Sequence, residues 1–140
     1  MTVTKKNAIL RCVKVFVSYS FKDRKWVAEL ATKLRAEGFD VWEDSLVEPG
    51  ANWPLEVGRA LNSADAIVLV VSPASAKSDS FIREMEFGLT SKKFRNRLIP
   101  VMAKKTDRIP WILKRLNIEV GDPRRISKRI AKRLRESEAA

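Results

Sequence analysis

The chain has 140 residues, with 28 lysines and arginines against 17 aspartates and glutamates, so its formal net charge is +11. This length most simply forms one domain with its own core. The chain has no histidine and one cysteine, Cys12, which excludes an internal disulfide and Ser-His-Asp or Cys-His catalysis. The same composition argues against a zinc site, so we expect no metal, and any chemistry near neutral pH must use carboxylates and hydroxyls.

The sequence contains no signal for export or membrane insertion. No apolar stretch approaches membrane-spanning length, and the run at residues 8–12 is too short for a signal-peptide core. We therefore expect a cytoplasmic protein without membrane association. We expect an N-terminal extension at residues 1–12, one domain at 13–136 and a C-terminal tail at 137–140; whether the chain is a fragment of a larger protein stays open.

Segments typical of strands and helices alternate along the chain. In the first half, the sequence predicts a strand at residues 13–18, a helix at 26–34 ending by Gly38, a strand at 39–42, a long loop at 43–53 and a short helix at 57–64. In the second half, it predicts a strand at 66–71, a helix at 80–89, a strand at 98–102, a fifth strand within 116–120 and a final helix. Pro100 favours a place near a sheet edge or strand end. This alternation predicts an α/β fold with a parallel sheet and helices on both faces.

The final helix carries most of the clustered positive charge. Ile126, Ile130 and Leu134 recur every four residues among lysines and arginines, which predicts an apolar stripe with a basic outer face. A solvated helix face is favoured over nucleic-acid binding, because no aromatic residues that would stack on bases interleave the charges.

Several standard ligand sites are excluded by their missing motifs. The first predicted strand leads into Ser18, Tyr19 and Ser20, without the glycine-rich loops of Rossmann dehydrogenases or P-loop NTPases. The same strand end lacks the carboxylate cluster that a receiver-type phosphoacceptor needs.

Hydroxyls, aromatic rings and carboxylates follow the predicted strand ends instead. Ligands of open parallel sheets bind at that edge. The set comprises Ser18, Tyr19, Ser20 and Phe21 after the first strand, Trp42, Glu43 and Asp44 after the second, and Ser72, Pro73 and Glu84 after the third. Such residues suit a ligand with ribose hydroxyls and a flat ring.

Each candidate also has a purely structural interpretation. Ser18, Tyr19 and Ser20 suit the cap of the first helix, which is the favoured interpretation when they are taken alone. Trp42 suits the core equally well, and Glu84 suits a solvent-facing helix position. Gly88 shares a helix face with Glu84, where it either leaves room for a ligand or permits close packing.

Taken together, these segments resemble a TIR (Toll/interleukin-1 receptor) domain of the bacterial type. The carrying residues are Val15-Phe16-Val17-Ser18-Tyr19-Ser20 with Asp23, Gly38-Phe39-Asp40-Val41-Trp42, Glu48-Pro49-Gly50 with Trp53, Ala64-Asp65, Val70-Val71-Ser72-Pro73, Ser80 to Glu84, Arg97 to Val101 and Ile109-Pro110-Trp111. Their order and spacing cover nearly the whole chain. The resemblance implies a flavodoxin-like, three-layer α/β/α fold with a five-stranded parallel sheet.

The resemblance also implies two alternative functions. Some members are scaffolds that act through homotypic TIR contacts, and others cleave NAD+ at the nicotinamide–ribose bond with a helix glutamate, which falls here on Glu84. NAD+ is then a substrate, no cofactor is needed, and the product is ADP-ribose or a cyclic form of it. Expected substrate-binding residues are Ser18, Tyr19, Ser20, Phe21, Trp42, Asp44, Gly50, Ser72, Ser80 and Phe81. Of these two functions, we predict that the chain is an enzyme that cleaves NAD+ and acts in prokaryotic immune signalling.

Two further features concern the partners and the active-site wall. The family's "BB loop" corresponds to residues 43–53, which we expect to mediate self-association or contact with other TIR domains or a sensor. Nucleic acid is not an expected partner. Family members often carry Trp four residues before the glutamate, but this chain has Ser80 there and its aromatic residue, Phe81, one place later. Either the helix start is shifted or the nicotinamide-side wall is built differently.

Overall fold

The computed structural model describes residues 12–139, which form a parallel sheet between two layers of helices. The strands are β1 (Lys14–Ser18), β2 (Asp40–Trp42), β3 (Ala66–Val70), β4 (Leu98–Met102) and β5 (Glu119–Val120), in the sheet order β2-β1-β3-β4-β5. The helices are α1 (Arg24–Ala36), α2 (Trp53–Ser63), α3 (Asp79–Thr90) and α4 (Pro123–Ala139). The predicted flavodoxin-like α/β/α fold with five parallel strands is confirmed.

The two helix layers bury opposite faces of the sheet. Helices α1 and α4 pack beside each other over one face, and α2 and α3 cover the other. Every residue of β3 is buried, as expected for a central parallel strand that is covered on both sides. The stripe of Ile126, Ile130 and Leu134 is fully buried, which confirms the amphipathic pattern of the last helix.

Several element boundaries differ from the sequence prediction. Helix α2 begins at Trp53 rather than near residue 57, because the Asn52 side chain accepts a hydrogen bond from the Leu55 N–H at 3.2 Å and caps the first turn. The fifth strand contains only Glu119–Val120. β5 pairs with Val101 and Met102 of β4. Pro100 therefore lies just before the part of β4 that pairs with β5.

The described residues include only part of the N-terminal extension and C-terminal tail that the sequence predicts. Of the expected N-terminal extension, residues 1–11 lie outside the described residues. Residues 137–139 of the expected C-terminal tail continue α4, while residue 140 is likewise outside the described part.

The strand order creates a crevice between β1 and β3. From β1 the chain crosses to β2 on one side and later returns to β3 on the other, so the connections leave in opposite directions. Such a switch point at the carboxyl ends of parallel strands is where ligands of this architecture bind. The segments after β1 and β3 therefore carry the candidate site.

Gly88 brings α3 close to the sheet. A Cβ atom at this position would lie 2.8 Å from Leu98 Cδ1 and 3.1 Å from Ile67 Cδ1. The interpretation that Gly88 leaves room for a ligand is therefore wrong, and the close-packing interpretation holds. Glu84, one turn earlier on the same face, is buried as well.

Two glycines in helices test this role of Gly88. Gly58→Ala on α2 meets nothing within 4 Å, so it should raise the free energy of unfolding by about 0.5–1 kcal/mol through lower chain entropy. Gly88→Ala gains the same term but must displace two buried methyl groups, at about 1–3 kcal/mol. In urea unfolding, Gly88→Ala should be the less stable variant by that margin; equal stability of the two would contradict the packing role.

Candidate functional site

A buried hydrogen bond joins the end of β1 to α3 at the switch point. The Ser18 hydroxyl donates to Glu84 Oε1 at 2.6 Å, and only 1% of Ser18 and 8% of Glu84 are exposed. Ser18 closes β1 in register with Leu69 of β3. The Ser78 side chain accepts the Phe81 N–H at 3.3 Å and starts α3, which places Glu84 in the second turn.

Burial changes the charge state of Glu84. Loss of hydration raises the pKa of this carboxyl from 4.5 to about 7, and the carboxylate of Asp44 adds to the rise. The hydrogen bond from Ser18 and the positive charge of Arg83 act in the opposite direction. Glu84 is therefore poised to gain or lose its proton near neutral pH, a property common at functional sites.

Two adjoining clefts open at this edge of the sheet. The larger, of about 790 Å³, has mixed walls of apolar, polar and charged side chains that include Tyr19, Ser20, Phe21, Arg24, Lys25 and Asp44. The smaller, of about 390 Å³, is mostly apolar and contains Glu84 and Arg83. Both clefts are lined by Trp53 and Ser80, so these two residues form their shared wall.

Two acidic residues, Glu43 and Asp44, are among those that line the larger cleft. Burial raises the pKa of Asp44 to about 6, and neighbouring Glu43 contributes to that rise. Burial also raises the pKa of Tyr19 above its ordinary value, with further increases from Glu43 and Asp44. Glu43 is itself buried and accepts hydrogen bonds from the backbone N–H, at 2.7 Å, and the hydroxyl of Ser45.

Three of the four candidates at the end of β1, namely Ser18, Tyr19 and Ser20, have different roles in the structure. Ser18 does not cap a helix, because its hydroxyl is bonded to Glu84. Ser20 accepts the Lys22 N–H at 3.4 Å and caps the short 3-10 turn Phe21–Asp23, while it also lines the larger cleft. Tyr19 is buried but contributes to the wall of that cleft.

Besides Ser18, four predicted substrate contacts line neither cleft: Trp42, Phe81, Ser72 and Gly50. The Trp42 ring stacks on Phe16 with centroids 4.9 Å apart, and the Phe81 ring is fully buried in the core. Ser72 donates to Asp23 Oδ2 at 2.6 Å, which ties the segment after β3 to the turn after β1. Packing or internal hydrogen bonding thus occupies the groups expected to meet a ligand.

Gly50 is the fourth of these residues, and its role is conformational. It has φ of +84°, and the Ala51 N–H donates to the Glu48 carbonyl at 3.1 Å, which closes a type II turn. The turn is exposed at the tip of the segment 43–53.

An aromatic side chain, that of Trp53, lines both clefts together with Ser80. Helix α3 begins at Asp79, within one residue of the predicted start, so its register is not shifted. Ser80 lines both clefts without a ring, and the neighbouring aromatic side chain comes from the first residue of α2. The alternative of a shifted helix start is therefore excluded, while a nicotinamide-side wall stays a prediction.

Comparison with known proteins identifies the family. The family model for the TIR domain matches residues 15–135. The chain belongs to the TIR domain family. Comparison with curated proteins gave no match.

Two solved structures share this TIR fold. The TIR domain of the Toll-related receptor TRR-2 from Hydra magnipapillata is 19% identical with a TM-score of 0.71, over 90% of this chain and 98% of that one. A metazoan TIR-STING receptor from C. gigas, solved in complex with 2′,3′-cGAMP, is 21% identical with a TM-score of 0.72. That match covers 86% of this chain and 38% of the receptor chain.

The described residues contain neither a candidate membrane span nor a group of potential metal ligands. Across residues 12–139, no helix is long and apolar enough to cross a membrane. In the same part of the TIR domain, no three His, Cys, Asp or Glu side chains group as potential metal ligands.

The raised pKa of Glu84 predicts a pH-dependent stability difference. Between pH 4.5 and about 7 the folded protein keeps a proton that the unfolded chain has lost. The free energy of unfolding must therefore fall as pH rises through this window, by up to about 1.4 kcal/mol per pH unit. Glu84→Gln cannot ionise and should lack this part of the fall.

Urea unfolding at pH 5 and pH 8 measures the effect. The wild type should lose up to about 3 kcal/mol more than Glu84→Gln between these values. Glu86→Gln, on the exposed face of the same helix, should keep the wild-type slope. Parallel slopes for the wild type and Glu84→Gln would show that Glu84 is not perturbed.

Proposed function

We propose that this TIR domain cleaves NAD+ at the bond between nicotinamide and ribose. The observation that carries the proposal is the buried carboxylate of Glu84, fixed by Ser18 at 2.6 Å and lining a cleft at the switch point of the sheet. A carboxylate in a water-poor site stabilises positive charge strongly, and that bond cleavage creates such charge on the ribose.

The reaction requires no general acid. The electron pair of the C–N bond leaves with nicotinamide, which changes from a cationic ring to a neutral molecule. The ribose then carries oxocarbenium character, and ionised Glu84 stabilises it and orients the ribose hydroxyls. Water adds to the ribose and releases a proton to give ADP-ribose, or the adenine of the same substrate adds to give a cyclic product. A chain without histidine is chemically adequate for either route.

The walls of the two clefts suit the parts of a dinucleotide. The Trp53 ring, 39% exposed beside Glu84, offers a flat apolar surface for nicotinamide. Arg24 and Lys25 offer positive charge for the diphosphate in the adjoining larger cleft. Aromatic faces and basic groups at these positions support a nucleotide substrate more than a neutral apolar one.

The proposed setting is prokaryotic immune signalling in the cytoplasm, with activity that depends on self-assembly. TIR domains commonly self-associate or pair with other TIR domains. The segment 43–53 exposes Leu46, 51% accessible, and leads into exposed Trp53 and Leu55. These apolar side chains also favour a second candidate function, a non-catalytic scaffold that works through TIR–TIR contacts with itself or with a sensor protein.

Removal of the Glu84 charge tests the enzymatic proposal. Glu84→Gln should reduce nicotinamide release from NAD+ by at least about 100-fold, because it removes the group that stabilises the developing charge. Release is measured by chromatography, with identification of the ribosyl product. Glu86→Gln is the matched control and should retain wild-type activity, since its side chain is exposed on the same helix. Absence of release by clustered wild-type protein would leave the scaffold function.

Assembly is tested by the dependence of activity on protein concentration. Specific activity should rise with concentration or forced clustering, and Pro49→His should weaken association by altering the turn at Gly50. Association is measured by light scattering beside the activity assay. Equal specific activity at all concentrations would contradict activation by assembly, without affecting the assignment of Glu84.

A further inference from the structure

We propose that Ser18 is a positioning residue, whose hydroxyl holds the Glu84 carboxylate in its working orientation and does not contact the substrate. This inference rests on the proposed function for its catalytic meaning. It replaces the expectation that Ser18 binds the substrate directly. The geometry of the bond and the rigidity of both partners carry it.

The Ser18 proton is already used. A serine hydroxyl has one O–H donor, and here it points to Glu84 Oε1 at 2.6 Å. Ser18 is 1% exposed and lines neither cleft, whereas Glu84 lines the smaller one. A ligand in the cleft therefore meets the carboxylate and not the hydroxyl behind it.

Both ends of this hydrogen bond are held by rigid elements. β1 pairs with β2 on one side and with β3 on the other, and Ser18 is in register with Leu69 in the second of these pairings. α3 is held against the sheet by the close approach at Gly88. The helix contact fixes how far Glu84 is from the sheet, and the hydroxyl of Ser18 fixes how its carboxylate is turned.

Charged groups of both signs act on Glu84. Asp44 opposes a negative charge at Glu84, and Arg83 favours it; Tyr19 of the adjoining cleft also lies within the electrostatic reach of Glu84. Ser18 is the hydrogen-bond donor that favours the ionised carboxylate against the effect of burial. Its loss should leave Glu84 both harder to ionise and freer to turn.

The first readout is the pKa of Glu84, measured by NMR titration of 13C-labelled glutamate carboxyls and assigned with Glu84→Gln. In Ser18→Ala the pKa should rise by about one pH unit, as expected for the loss of a hydrogen bond to a charged group. Ser127→Ala is the matched control: its hydroxyl is also buried but bonds to the Arg124 carbonyl on α4, so the pKa of Glu84 should not change.

The second readout is the kinetics of NAD+ cleavage. Ser18→Ala should lower kcat by roughly 10–100-fold with little change in KM, and the pH profile should move to higher pH with the pKa of Glu84. A rise in KM with kcat unchanged would instead identify Ser18 as a substrate contact and overturn the proposal. So would an unchanged pKa of Glu84 in folded Ser18→Ala.

The two proposals fail in different ways. If clustered wild-type protein releases no nicotinamide, the proposed function fails, and the NMR titration alone decides whether Ser18 controls Glu84. If Ser18→Ala does not fold, Ser18→Cys keeps a similar side chain with a weaker donor. The pKa of Glu84 should then rise by less than one pH unit, and no rise at all counts against the positioning role.

Discussion

A carboxylate buried against the end of a parallel strand is the constraint on which this site depends. Glu84 loses most of its hydration where α3 meets the sheet, and an ionised group in such a place needs a donor. β1 provides one through Ser18, at 2.6 Å. The bond crosses from one side of the switch point to the other, so it joins the two segments between which a ligand of this fold is expected.

Close packing of the apolar layer makes that bond possible. Gly88 lets α3 approach Leu98 and Ile67 more closely than any residue with a Cβ would permit. Phe81 and Met85 anchor the same helix in the core. Stability and function are therefore linked along α3: the contacts that bury its apolar side chains also force Glu84 out of water, and that burial raises the pKa of its carboxyl to about 7.

The fold was predicted well from the sequence, because each helix and strand has its own local pattern of apolar residues. Two such patterns are compatible with few other secondary structures. They are the apolar run of β3 and the four-residue spacing of Ile126, Ile130 and Leu134. The site was less predictable, because the partner of each polar group is set by distant contacts. Ser18 and Glu84 are 66 positions apart in the chain, and Ser72 bonds to Asp23 across 49. No local pattern reveals such pairs.

The positions of the aromatic residues were also not predictable from local patterns of sequence. Trp42 and Phe81 are aromatic residues of the type that lines ligand sites. However, Trp42 stacks on Phe16, and Phe81 is buried in the core. Trp53 takes the position beside Glu84 because Asn52 starts α2 there and leaves the ring partly exposed between the two clefts. The residue type determines which contacts a side chain can make, but the tertiary structure determines which residue makes them.

The distribution of charge gives the site a polarity that the net charge conceals. The chain as a whole has a formal charge of +11, yet Asp44 and Glu84 place acidic groups in the two clefts while Arg24 and Lys25 line the larger one. NAD+ has the complementary pattern, with a cationic ring at one end of an anionic diphosphate. A ligand with only negative charge would meet the acidic groups unfavourably, and one with only positive charge would meet Arg24 and Lys25. The arrangement of charges thus supports the proposed NAD+ substrate, which carries both charges at separate points.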